Sequence, residues 1–390
     1  MMALTTTASL SKRVFSQPTA PFREFAVRAE IAEVLDEARI KWFIDRTGNL
    51  IAGAESFADL KHATRKGLHI GLMAHMDHPG FHLGPRLGPR LYQLEWWGGA
   101  PFEDFRGAAV RLYEGENPKR SVRGTILKRL KTPTSTNTEA SPKSFVARFE
   151  EDISSFSALS FGAFDFAGFE RKGDLCHTRA ADDLAGCVIA LGALIDERRT
   201  RAKNKRRLFA IFTRAEEVGF IGCLDLLKRK ELPARALYIS LEASRTLPEA
   251  ELGKGPVLRL GDRATLFDPK MTTALNEVAL ELSTERGARQ FRYQRRLMPG
   301  GTCEGTALAL HGYTTAALAV PLLNYHNQAF DGSRRGPRPE IISINDTDLA
   351  RRFCFEAAQR LPRHLDSATR TKARIDRNFA QLKDRLSTDT

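Results

Sequence analysis

Two adjacent carboxylates, Asp182 and Asp183, stand between a short apolar stretch around Leu175 and an apolar helical run from Leu184 to Leu194. Where a strand of an open α/β sheet gives way to a helix is the favoured place for a ligand or metal site. An Asp at a helix start is more often a cap, so the pair carries weight only in company. Four further stretches supply it. His75 and Asp77, the doublet Glu216–Glu217, Glu242 and His326 each follow an apolar run of strand length. Taken singly, each has a plainer reading: a hydrogen-bonded histidine, acidic residues complementing a helix dipole, or a surface loop. Taken together, they are side chains at the C-terminal ends of strands, and in a parallel sheet those ends share one edge. Two histidines with several carboxylates and no cysteine form a mixed N/O donor set, suited to zinc, cobalt or manganese more than to calcium or magnesium. The set exceeds one open tetrahedral site. It fits two ions roughly 3.5–4 Å apart that share a bridging carboxylate and hold a water. Asp77 is near enough to His75 in sequence to accept the other imidazole proton. In the glutamate doublet one carboxylate can bind metal while its neighbour takes a proton from the water, which is hydrolysis of an amide by general base catalysis. The chain has no phosphate-cradling GxxxxGK loop and no GxSxG, so P-loop and serine-hydrolase chemistry lack support.

The elements that must position these groups follow from periodicity. Phe22 to Ile40 has helical apolar spacing, and Lys41 to Ile51 reads as a hairpin turning at Thr47 to Asn49. His69 to His75, Arg207 to Thr213, Ala236 to Leu241 and Thr314 to Val320 are continuous apolar runs, the pattern of strands buried on both faces. Helices are predicted from Asp183 to about Arg199, over Phe220 to Lys230, Thr272 to Arg286 and Ala307 to His311, and after a cap at Asn345 or Asp346. Gly253 to Pro269 reads as turns. From about 82 to 172 the character changes to short alternating runs separated by Pro and Gly, with a polar loop at Thr132 to Lys143. That is a small β unit inserted into an α/β domain. The predicted organisation is a first α/β part at 1–80, an inserted β domain at 81–172, a second α/β part at 173–366 and a charged helical tail at 367–390.

Bulk composition sets the limits. A chain of 390 residues with 42% apolar and 27% charged residues is globular, and no apolar run approaches a membrane span. The Thr/Ser-rich N-terminus, Met1 to Arg13, lacks a secretory core and reads as a frayed start. Five scattered cysteines point to a reducing, cytoplasmic setting without a disulfide framework. The net charge of +13 would suit nucleic acid, but the basic residues are dispersed rather than interleaved with aromatics. The runs Arg198 to Arg207 and Arg286 to Arg296 read as solvated faces or an oligomer interface.

His75-Met-Asp77, Ala181-Asp182-Asp183, Glu216-Glu217-Val-Gly219, Gly300-Gly-Thr302 and Asn324-Tyr-His326 together resemble, in order, the co-catalytic metallo-aminopeptidases of the glutamyl-aminopeptidase (tetrahedral, TET) type. The resemblance spans about residues 20 to 360. It implies a mixed, mainly parallel α/β sheet sandwiched by helices, zinc-exopeptidase-like, with an inserted small β-barrel. It also implies two divalent ions, zinc foremost and cobalt or manganese as alternatives. His75 and Glu242 would hold one ion, Glu217 and His326 the other, with Asp182 bridging. Glu216 would be the general base, Asp77 the orienter of His75, and Asp183 would follow Asp182 through a cis peptide. Peptides are the implied substrates, and a homo-oligomer, from dimer to dodecamer, the implied assembly. Two departures stand out. Glu242 occupies a position where these aminopeptidases usually carry Asp, and a longer carboxylate there is closer to related carboxypeptidases and N-acyl amino acid deacylases. Cys303-Glu304 follows the glycines where the family usually has Asp, which leaves Glu304 either to the substrate's amine or to the start of a helix.

Overall fold

The computed structural model describes residues 6–99, 105–115, 117–130, 142–200, 207–285, 290–328 and 336–387. Helices α1 (Thr7–Ser16) and α2 (Phe25–Glu37) precede the hairpin β1 (Trp42–Ile44) and β2 (Leu50–Ala52). Helix α3 (Phe57–Lys66) then leads into β3 (Ile70–His75), every residue of which is buried. Six strands follow: β4 (Gly80–Gly88), β5 (Leu91–Trp97), β6 (Ala109–Glu114), β7 (Asn117–Arg129), β8 (Lys143–Phe149) and β9 (Phe161–Phe164). They close into an antiparallel barrel in the order β4-β5-β8-β7-β6-β9. Alternation along β5 sends Tyr92, Leu94 and Trp96 inward, as a half-exposed strand requires. The interior is aromatic: Phe81 sits edge-on to Trp96 and Phe164, and Phe105 stacks on Phe145 with ring centroids 4.8 Å apart.

The chain returns to the large sheet through β10 (Glu170–Lys172) and β11 (Leu175–Thr178), then enters α4 (Leu184–Arg199). Helix α4 is buried on nearly every side from Leu184 to Ile195, which explains its lack of a polar face. Next come β12 (Leu208–Thr213), α5 (Ile221–Lys228), β13 (Leu237–Arg245), β14 (Val257–Gly261), α6 (Pro269–Thr284) and β15 (Gln294–Leu297). The chain ends with α7 (Glu304–Leu310), β16 (Thr315–Leu323), β17 (Glu340–Ser343), α8 (Ile344–His364) and α9 (Ser367–Leu382). The main strand order is β1-β2-β12-β3-β13-β16-β17-β11-β10, with β14 and β15 branching from β16. Strands β12, β3, β13 and β16 are mutually parallel. Strand β17 runs antiparallel to both β16 and β11, so β11 points the same way as those four. The architecture is therefore a mixed α/β sheet covered by helices, with a closed six-stranded antiparallel barrel inserted after β3. No helix among the described residues is long and apolar enough to cross a membrane.

Several local expectations are corrected. The N-terminus is not frayed from residue 6 onward: Thr6 caps α1, and Leu10, Val14 and Phe15 are fully buried. Its Thr/Ser content hid an apolar face three residues wide. Glu242 lies within β13 rather than after it, paired with Ala319 of β16. The turn-rich stretch after Gly253 contains β14, whose short Val-Leu-Arg-Leu run is flanked by glycines. Helix α8 is capped by Ser343, placing Asn345 and Asp346 inside its first turn. Of the polar loop expected at Thr132 to Lys143, residues up to 141 lie outside the described residues, and Lys143 opens β8.

The barrel's aromatic cluster should dominate its stability. Phe81 has no exposed surface, so Phe81→Ala is expected to cost about 3–5 kcal/mol through lost burial and an unfilled cavity, read as a lowered urea midpoint.

Candidate active site and metal centre

The C-terminal edge of the parallel strands gathers His75, Asp182, Glu216, Glu217, Glu242 and His326. His75 ends β3, and its Nε2 lies 3.6 Å from Asp182 Oδ1 and 3.7 Å from Glu216 Oε2. His326 Nε2 lies 3.5 Å from Asp182 Oδ2 and 3.2 Å from Glu217 Oε1. Asp182 thus faces one histidine with each carboxylate oxygen. Its neighbour Asp183 caps α4, Oδ1 accepting the Gly186 N–H at 2.9 Å, and the Asp182–Asp183 peptide is cis. Three groups of donors, each within 4.8 Å of one another, could hold a metal ion: His75, Asp182 and Glu242; Asp182, Glu217 and His326; and His75, Glu216 and Glu217. Asp182 belongs to two of them.

Both imidazoles are aimed by main-chain carbonyls. His75 Nδ1 donates to the carbonyl of Asp77 at 3.1 Å, and His326 Nδ1 to that of Gly99 at 3.1 Å. This leaves each Nε2 facing the carboxylates. The Asp77 carboxylate is 3.6 Å from His75 Nδ1, but its closer partners are elsewhere: its oxygens accept the main-chain N–H groups of Glu216 and Glu217 at 3.0 and 3.1 Å. It fixes the doublet directly. The turn that follows depends on Gly219 at φ 110°, a conformation closed to side chains at low cost.

Three supporting residues gave no signal in the sequence. Glu340, fully buried at the start of β17, accepts N–H groups from Ala181 at 2.6 Å, Asp182 at 3.1 Å and His326 at 2.7 Å. One carboxylate therefore ties the two halves of the site together. It also holds a strained turn, since Asn324, His326 and Asn327 all have φ between 55° and 60°. His78 bridges the carbonyl of Asp182 at 2.6 Å and Asn327 Oδ1 at 3.2 Å. Glu24, buried on α2's leading edge, accepts from Ala215 N and Arg214 Nε just before the doublet. A lone Glu after a Pro-rich loop and a His in a breaker cluster look like surface residues in one dimension.

The electrostatics favour a cation. Among the described residues, Asp182 Oδ1, Glu217 Oε1 and His326 Nε2 are buried without a well-aligned hydrogen-bond partner, and unpaired polar atoms away from water are costly. Burial pushes the Glu216 carboxyl well above the ordinary range, aided by Glu217, and raises Glu242 to about 7. Burial alone would lower both imidazoles. The surrounding carboxylates reverse this, Glu216 foremost at His75 and Glu217 at His326, so both are pushed well above their usual value. Glu304 is the first residue of α7, but it is 1% exposed, with Oε1 unpartnered and its carboxyl raised to about 8 by burial. It is no solvated helix-start charge. Arg259, 4% exposed, is the buried cation that acts on Glu242. A mixed imidazole–carboxylate set with orphaned inward atoms fits two divalent cations sharing Asp182.

Because Glu340 aligns Asp182 and His326 through their backbones, Glu340→Gln should leave the donors present but misaimed. Metal affinity is expected to fall about 10–100-fold, measured by competition with a chromogenic chelator.

The model of the M42 glutamyl aminopeptidase family matches residues 56–330, well over half of the chain. An aminopeptidase from the archaeon Desulfurococcus kamchatkensis superposes with a TM-score of 0.69 at 19% identity, over 93% of this chain and 97% of its own. A TET aminopeptidase from Thaumarchaeota archaeon SCGC AB-539-E09 gives 0.69 at 19%, over 91% and 97%. The TET1 peptidase of Pyrococcus horikoshii, which can assemble into a tetrahedron or a large octahedral shell, gives 0.66 at 20%, over 90% and 99%. No curated protein matches the chain. At these identities the superpositions establish a shared fold, while the extent of the family match places the chain itself in the M42 glutamyl aminopeptidase family of metallo-aminopeptidases.

Proposed function

We propose that the chain releases N-terminal amino acids from peptides, using two divalent ions held by His75 and Glu242 on one side, Glu217 and His326 on the other, and Asp182 between them. The observation that carries this reading is Asp182, which faces both histidines at 3.5–3.6 Å, with the Glu216 carboxylate 3.7 Å from His75. Bound there, the cations would polarise the scissile carbonyl and make a water more acidic. Glu216 takes the proton of the attacking water at Oε2 and passes it to the departing amine nitrogen, as a general base and then acid. Asp77 keeps the base in place through the N–H groups of residues 216 and 217. We assign Glu304 to the α-amino group of the substrate. The assembly is read as a homo-oligomer, anywhere from a dimer to a dodecamer, and the free cysteines fit a reducing, cytoplasmic compartment.

Glu242 keeps a second reading in view. A glutamate at this ligand position is also compatible with a carboxypeptidase or an N-acyl amino acid deacylase built on the same centre. A panel of dipeptides, free or acetylated at the N-terminus, decides between them. Metal-depleted protein should be inactive and recover with Zn²⁺, Co²⁺ or Mn²⁺, cleaving only free N-termini; cleavage of acetylated substrates would move the activity to the other class. Glu216→Gln should bind metal normally and lose kcat by about 10²–10⁴-fold, the usual worth of a positioned base. Equal metal loss in that variant would instead make Glu216 a ligand. Glu304→Gln should raise KM about tenfold or more, the worth of one charge-assisted hydrogen bond, with a smaller change in kcat.

A further inference from the structure

Helix α9 follows Asp366 and carries an apolar row that no described residue covers. Ile375, Phe379 and Leu382 are 57%, 62% and 54% exposed, and Leu386, on the 3₁₀ turn Lys383–Ser387 that continues the helix, is 79% exposed. Every described side chain from Thr371 to Leu386 is exposed. At 3.6 residues per turn, the first three fall within about 60° of the helix circumference. The spacing of four, three and four along 375, 379, 382 and 386 is that of a two-helix seam, narrower than the broad apolar face of a helix lying in a lipid surface.

We infer that α9 pairs antiparallel with α9 of a second copy of this chain. Antiparallel pairing about the centre of the row sets Phe379 against Leu382 and Ile375 against Leu386, in both directions at once. On one flank of that core Asp376 of each helix then faces Lys383 of the other. A parallel pair would set Asn378 beside Lys383 and Thr371 beside Asp376, with no opposite charges meeting. Asp376 already pairs with Lys372 of its own helix at 2.5 Å; both groups are exposed, so Asp376 can be shared. The seam is short, with four apolar side chains per copy, well below what a free-standing interface of about 1,200–2,000 Å² requires. It acts by strengthening contact between subunits already held near one another, where effective concentration multiplies a weak contact. The inference therefore rests on the homo-oligomer reading above.

The test measures mass against concentration for the full chain by sedimentation, with kcat on a free dipeptide recorded in parallel. Phe379→Asp and Leu382→Asp should each shift dissociation of the assembly to at least about tenfold higher protein concentration, matching one buried apolar side chain lost per copy, with kcat per subunit unchanged. Asp376→Lys should weaken the assembly, and adding Lys383→Asp should restore it. A wild-type chain that stays monomeric at all concentrations overturns this inference together with the oligomer reading. An assembly indifferent to Phe379→Asp and Leu382→Asp overturns the α9 pairing alone. No difference between Asp376→Lys and wild type overturns the antiparallel arrangement. If anionic vesicles capture the wild-type chain but not the two Asp variants, and mass is unaffected by either, the row belongs to a lipid surface and the inference falls.

Discussion

Negative charge gathered out of water is the constraint on which this structure depends. Asp77, Asp182, Asp183, Glu242, Glu304 and Glu340 are all buried at one sheet edge, with Glu216 and Glu217 beside them. Buried carboxylates persist only with donors or cations close by. The outer ones are served by the backbone: Asp77 takes two N–H groups, Glu340 three, and Asp183 one at the start of α4. The inner oxygens, Asp182 Oδ1 and Glu217 Oε1, have no such partner. Backbone hydrogen bonds thus hold the outer carboxylates, and the inner oxygens face the two histidines.

The barrel belongs to this arrangement as well as to the surface. It is inserted directly after His75 and Asp77, and its core of Phe81, Trp96, Phe105, Phe145 and Phe164 is a cluster separate from that of the main sheet. Yet Gly99, just past the end of β5, offers the carbonyl that orients His326. A histidine contributed by the far end of the chain is thus aimed by the inserted unit. Arg179 reaches the same unit from the other side, donating to Tyr113 Oη at 2.9 Å. Contacts of this kind couple the position of the barrel to the geometry of the site.

Most of the donor cluster was readable because of how parallel sheets are built. Wholly buried strands such as β3 and β12 appear as unbroken apolar runs, and the residues that end them must lie on one edge. His75, Asp182, Glu216, Glu217 and His326 each stand beyond or at the end of such a run. Glu242 does not, because β13 continues past it, and β14 is too short and glycine-flanked to show a period. Helix α1 was hidden by its hydroxyl residues, although Leu10, Val14 and Phe15 held the evidence of a buried face.

The donor types, their order and the edge on which they meet follow from residue chemistry and from hydrophobic runs that are local in the chain. How the donors are held follows instead from packing between distant segments. Glu340 lies 158 residues from Asp182 and 14 from His326, and Asp77 reaches the N–H groups of residues 139 and 140 positions away. Hydrogen bonds between a side chain and a distant backbone leave no periodicity, charge pattern or spacing to read. They arise when folding brings unpaired N–H groups beside carboxylates that must find donors, and that meeting is a property of the packed chain alone.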